Sequence, residues 1–267
     1  MKHNLVLALK GAAIGGTMLV PGVSGGTMAM MLNIYDKLIL AISTFRRHKR
    51  ASLTVLAWFC GGAAAGMFLI AQPLSRLMDA FPYLVGCFFT GAVIGSVPLV
   101  YRKAAVQRIS WRVPVYILLG AGIALLLSVL PSAAGSGEGT FHPLLLLPIG
   151  AVAAVALVLP GISISHLMLV LGLYDKLIQA ISSLNFTYLL PFGIGMLIGI
   201  LLTVKALERM LSKHPQATYL LILGFMIASV AAVFPGLPPI NEAAACLVAA
   251  LAGFGLLYGL SHRRTRA

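Results

Sequence analysis

Apolar residues along this chain run in blocks too long for a soluble core, and the polar residues gather in short clusters between them. Six blocks have the length of a full membrane crossing: roughly 53–71, 83–101, 113–131, 188–204, 217–234 and 241–260. About 20 apolar residues in a helix span ~30 Å of hydrocarbon, so each block predicts a transmembrane helix. The alternating segments of ~10 residues that mark a membrane barrel do not occur. Two further apolar regions, about 5–43 and 143–182, are each broken near the middle by a Pro-Gly pair, Pro21-Gly22 and Pro160-Gly161. The stretch before the first break, 5–20, reaches only ~24 Å as a helix, short of a crossing. Each broken region is therefore a kinked span with an excess, or a hairpin that enters the membrane and returns.

Composition agrees with the pattern. Of 267 residues, 60% are hydrophobic and 9% charged, against about 25% charged in a soluble protein. The net charge of +13 does not signal nucleic acid, because the cations sit in short loops between apolar runs, where they set orientation in a membrane. If both broken regions are re-entrant hairpins, 17 of the 19 lysines and arginines share one face, and only Arg76 and Lys176 lie opposite. A single crossing per region would move the basic 205–213 loop across and weaken that bias. The hairpin reading puts both termini on the cytoplasmic side. Two complete spans per region would give the same parity, so the short half-helices are what argue for re-entry. Lys10 interrupts the apolar run after Lys2, so the N-terminus reads as mature protein rather than a leader. Cys60, Cys87 and Cys246 are isolated in apolar segments, and neither a disulfide nor a metal site follows.

The broken stretches are also copies of each other. VPGVSGGTMAMMLNIYDKLILAIS (20–43) and LPGISISHLMLVLGLYDKLIQAIS (159–182) match at 12 of 24 positions, 139 residues apart. The likeness continues between 59–76 and 192–209. Each unit is a hairpin plus three spans. Three crossings is odd, so the second unit must sit inverted. The expected fold is all-α integral membrane: one transmembrane domain over 1–267, with repeat 1 at about 1–131 and repeat 2 at about 143–262. Inverted repeats with broken helices build many secondary transporters, with the substrate near the midplane. The pairs Gly62/Gly66, Gly91/Gly95 and Gly195/Gly199 read as helix-packing positions.

A break in hydrocarbon persists only where protein, water or ligand satisfies its backbone groups. After each Pro-Gly a helix is expected to start, near Ser24 and near Ser163. Its free N–H groups and partial positive charge suit an anion, phosphate above all. Pro21, Gly22, Ser24, Gly25, Gly26 and Thr27 in the first unit, with Pro160, Gly161, Ser163, Ser165 and His166 in the second, are the candidate phosphate-binding set. His166 stands where the first unit has Thr27, and an ionisable residue at that depth is a candidate for function. Tyr35-Asp36-Lys37 and Tyr174-Asp175-Lys176 close the two hairpins. They read as interfacial anchors, or as headgroup-admitting gates in which Asp tethers Lys while the site is empty. Arg76 is a further outer candidate.

These residues resemble the bacterial polyprenyl-phosphate transporter family. GAAIGGTMLVPGVSGGTMAMMLNIYDKLI (11–39), LPGISISHLMLVLGLYDKLI (159–178) and SVPLVYRK (96–103) carry the likeness over most of the chain. It implies return of undecaprenyl phosphate across the inner membrane, recycling the lipid carrier for peptidoglycan and other envelope glycans, with no cofactor. The partners it implies are that lipid and the surrounding membrane. The chain departs from the family pattern twice. Thr17-Met18 stand where an acid is expected before the first break. Ile164, Ser165 and His166 stand where Gly-Ser and an aromatic are expected, which makes His166 the candidate carrier of a coupling proton. Two other readings remain: a transporter of a small soluble anion, and a membrane polyprenyl-diphosphate phosphatase. The second is disfavoured because the breaks hold no Arg, Lys, Asp or Glu for phosphoryl transfer.

Overall fold

The structure, a computed structural model, describes residues 2–18, 24–106, 110–129, 143–162 and 185–263, and between the last two stretches residues 164, 167–168, 171, 173, 176–177, 179–180 and 183. All regular structure among the described residues is helical. In chain order the helices are α1 (Lys2–Met18), α2 (Gly25–Met31), α3 (Tyr35–Ser43), α4 (Lys49–Leu69), α5 (Ala71–Ala80), α6 (Pro82–Lys103), α7 (Arg112–Val129), α8 (Pro143–Val158), α9 (Phe186–Lys213), α10 (Pro215–Val233) and α11 (Ile240–Arg263).

By length and composition α4, α6, α9 and the Ile240–Gly259 part of α11 can each cross a membrane. The spans expected at 113–131 and 217–234 appear as α7 and α10. Their 18 and 19 residues reach ~27–28 Å, the short end of a crossing. The outer surface is apolar: Phe68, Leu118, Leu197 and Leu251 are all exposed, as residues facing lipid must be. This is an all-α, multi-pass membrane protein.

Glycine seams hold the helices in pairs. On α4, Gly62 lies against Ala8 of α1 and Gly66 against Ala12; a Cβ on Gly62 would come within 2.0 Å of the Ala8 carbonyl oxygen. On α9, Gly195 and Gly199 lie in the same way against Leu147 and Ala151 of α8. In both pairs the contacts advance in the same direction along the two helices, so the partners run parallel. Gly91 of α6 faces Ala250 of α11, and Gly224 of α10 faces Ile117 of α7. Close backbone approach of this kind is how helices associate where no hydrophobic effect drives them together. The three small-xxx-small pairs singled out in the sequence all lie in these seams.

At the centre sits α2. Six of its seven residues are buried, packed among Ile34, Val100, Val204 and Met226 from α6, α9, α10 and the α2–α3 connection. A short helix buried on all sides has no polar face to show, and GGTMAMM has only Thr27 to satisfy.

Candidate functional site

The first break leads into α2 through Ser24, whose backbone is extended (φ −85°, ψ 132°). The first intrahelical bond runs from Met28 N–H to the Ser24 carbonyl, so the N–H groups ahead of it have no partner within α2. The Ser24 hydroxyl is buried and finds no hydrogen-bond partner among the described residues. Pro21 and Gly22 lie outside them.

The second break follows the end of α8. Pro160 is buried, and Gly161 turns the chain with φ +86°, a left-handed conformation that favours glycine. Space demands glycine there too: a Cβ would fall 2.2 Å from the Phe225 carbonyl oxygen. Ser163, Ser165, His166, Tyr174 and Asp175 lie outside the described residues.

The two breaks meet. The Gly161 N–H donates to Thr27 Oγ1 at 2.8 Å across 134 residues of sequence. A Cβ on Gly26 would stand 2.9 Å from the Pro160 nitrogen. Tyr35 donates its hydroxyl to the Val158 carbonyl at 2.8 Å, satisfying an oxygen at the end of α8 that has no partner one turn further on. Of the proposed phosphate set, Ser24, Gly25, Gly26, Thr27, Pro160 and Gly161 are thus brought to one place.

Two spaces adjoin this junction. An apolar cavity of about 190 Å³ reaches from Gly25 and Gly26 past Phe59 and Ile200 to Cys60, which is exposed on the outer face of α4. On the other side Ser24, Thr27 and Ser229 border a gap of about 10 Å³, room for about one water. Ser229 did not stand out in the sequence. Its hydroxyl is buried and donates to the Met226 carbonyl, and Ser96, 133 residues earlier, does the same to Val93. That shared offset was the one available signal.

The residues expected to admit a headgroup are dispersed. Asp36 reaches beyond its own Tyr-Asp-Lys triplet: its carboxylate accepts from Lys103 Nζ, at the end of α6, at 2.5 Å. Lys103 also lies 5.9 Å from the centre of the Tyr219 ring, within cation–π range. Lys10 Nζ donates to the Leu32 carbonyl at 2.6 Å. Lys37 and Lys176 are half-buried, and Arg76 stands exposed on α5. Near the Lys103 end of α6, a polar cavity of about 740 Å³ opens between the α6–α7 and α9–α10 connections.

Fold and site together define a multi-pass helical membrane protein with two helix breaks joined in its interior. Residues 14–245 match the VCA0040-like family, described as undecaprenyl phosphate translocase-like, and the chain belongs to that family. It is 37% identical over 244 residues to a polyprenyl-phosphate transporter of Staphylococcus aureus, covering 86% of each chain. It is 31% identical over 246 residues to one of Vibrio cholerae, covering 85% of this chain and 76% of that one. No solved structure matches the chain.

Proposed function

We propose that this protein carries a polyprenyl phosphate, undecaprenyl phosphate first among them, between the leaflets of the bacterial cytoplasmic membrane, returning the carrier lipid for envelope glycan synthesis. The observation that carries the reading is the junction itself. Bare backbone at Gly25 and Gly26 borders an apolar cavity that extends to the lipid-facing Cys60. A phosphomonoester held at the breaks by amide N–H groups and hydroxyls would leave its isoprenoid tail in that cavity. A site for a small soluble anion has no use for such an apolar space. Hydrolysis is disfavoured because the described residues of the junction supply hydroxyls and amides but no charged side chain.

The proposed architecture is an inverted repeat of two units, each a re-entrant hairpin plus three spans, with both termini cytoplasmic. Three facts support it. Lys10 reaches the Leu32 carbonyl, as it can if the chain has turned back after the break. Ala104, Ala105 and Ser110–Arg112 line one cavity with Lys213–Ala217, so α7 leaves and α9 returns to the same face. The intervening 143–182 region then crosses an even number of times, and α8, at 16 residues, is too short for a full span. Finally, the interhelical glycines recur at a constant spacing: Gly62 and Gly195, Gly91 and Gly224, and Gly120 and Gly253 are each 133 residues apart.

The test is reconstitution with labelled undecaprenyl phosphate, scoring exchange between leaflets. Gly25→Leu and Gly26→Leu, checked for monodisperse yield, are expected to slow exchange by about tenfold or more, the effect of losing ~1.4 kcal/mol from the transfer step. At Gly25 the atoms nearest to an added Cβ all belong to the flexible Met18 side chain, so this is the gentler of the two substitutions. Exchange equal to wild type in Gly25→Leu would sink the assignment of the headgroup to this junction.

A further inference from the structure

We infer that the polar cavity between the α6–α7 and α9–α10 connections is a headgroup port for a phosphomonoester on the basic face, and that Lys103, released from Asp36, hands the headgroup through it. The inference rests on the transport reading above and adds to it a second station, away from the helix breaks.

The cavity offers the right chemistry. Arg112, Lys213 and His214 line it, beside Trp111, Tyr116 and Gln216. No acidic residue is among the described lining residues. Arg presents a fork that suits phosphate oxygens, and Lys a mobile point charge. Tryptophan and tyrosine at such a rim belong where membrane meets water. At about 740 Å³ it has room for a hydrated headgroup.

Lys103 adjoins this port through the chain. The next residue, Ala104, lines the polar cavity, while Tyr35, the neighbour of Asp36, lines the apolar cavity that adjoins the breaks. The Lys103–Asp36 pair therefore joins the walls of the two spaces. The pair is built to exchange. One carboxylate oxygen of Asp36 holds Lys103, while the other is buried, with the Tyr219 hydroxyl close to the carboxylate. Asp36 is 40% and Lys103 20% exposed, so solvent and ligand can both reach the bond. A phosphate dianion competes for Lys103 better than a single carboxylate. Tyr219 lies beneath the ammonium, 5.9 Å from it, while Asp36 holds it.

The two partners then have opposite effects on binding, which a merely structural ion pair would not produce. Trp58 and Trp111 are the two tryptophans of the chain, so Trp58→Phe leaves Trp111 as a reporter inside the port. The experiment titrates this full-length protein in phosphatidylcholine nanodiscs with farnesyl phosphate, and separately with inorganic phosphate, following Trp111 emission. Leaflet exchange of undecaprenyl phosphate is measured on the same variants. Farnesyl phosphate is expected to bind. Arg112→Gln/Lys213→Gln and Lys103→Gln should each weaken it about tenfold, the loss of a charge-assisted hydrogen bond. Asp36→Asn should tighten it about threefold or more, since the competitor is gone, and Lys103→Arg should retain most of the affinity.

Any of these results would overturn the port: no Trp111 response to farnesyl phosphate; Asp36→Asn and Lys103→Gln moving the Kd in the same direction; or inorganic phosphate binding as tightly as farnesyl phosphate, which would make this a site for soluble anions. Failure of the wild-type protein to exchange undecaprenyl phosphate strikes the transport reading instead. A normal exchange rate in Arg112→Gln/Lys213→Gln strikes the port alone.

Discussion

Gly62 in the first half of the chain and Gly195 in the second make one contact twice. Each lies where a Cβ would press into a carbonyl oxygen of an earlier helix, at Ala8 of α1 and at Leu147 of α8, both 2.0 Å away. Gly11 and Gly150 return the favour against the Phe59 and Phe192 carbonyls. The halves agree along their seams and part company at two places. One is the break, where Gly25-Gly26-Thr27 corresponds to Ile164-Ser165-His166. The other is the helix after the hairpin. In the first half it bends at Ile70 and restarts as α5, with Pro73 in the first turn; in the second, α9 runs unbroken through Ala206 at the matching position. Proline in a first turn suits a helix start and disrupts a helix interior, so one residue accounts for that difference. The seams fix how the two halves are built, and the divergent positions are free to differ in what they do.

The strongest test of the shared part is to overfill a seam in each half. Gly62→Leu and Gly195→Leu must push two backbones apart, which should cost at or beyond the upper end of the ~1–3 kcal/mol typical of overpacking. Both are expected to abolish monodisperse protein in detergent. Gly61→Leu and Gly193→Leu, whose Cβ positions meet nothing within 4 Å, should give wild-type yield. If Gly195→Leu were tolerated while Gly62→Leu was not, the halves would not be equivalent as scaffolds.

Much of this scaffold is legible in the sequence, because long apolar runs and spaced glycines act locally. Hydropathy gives the helices, four of them long and apolar enough to cross a membrane, Pro160-Gly161 marks the turn after α8, and the glycine pairs fall where the helices touch. What is not legible is pairing at a distance. Asp36 has 19 cations to choose from, and only the packing of α3 near the end of α6 selects Lys103. The same holds for Tyr35, which reads as an interfacial anchor but lies buried with its hydroxyl on the Val158 carbonyl. A serine within an apolar helix, such as Ser229, looks like any other small packing residue until α2 is placed beside it.

The junction between the breaks tests the divergent part, with a smaller effect. Thr27→Val keeps the shape of the side chain and removes the acceptor of the Gly161 N–H. A buried donor left without a partner costs about 1–3 kcal/mol, so thermal stability should fall clearly. Thr27→Ser should hold it near wild type. A Thr27→Val protein as stable as wild type would mean that the contact between the halves contributes nothing, and that the seams alone hold the breaks together.

The smallest expected effect asks how far the likeness of the halves extends. Tyr35→Phe removes one hydroxyl from the Val158 carbonyl. A carbonyl oxygen at a helix end tolerates this better than an N–H does, because its two lone pairs are easier to satisfy in part. The loss should be about 0.5–1.5 kcal/mol, a shift of a few degrees in the thermal midpoint. Tyr174 holds the corresponding place in the second copy of the motif. If the repeat extends from the seams into the breaks, Tyr174→Phe should produce a shift of the same size. A shift at Tyr35 with none at Tyr174 would confine the equivalence of the halves to their glycine seams. The first copy of the motif would then be anchored to its neighbour by a contact that the second copy does not share.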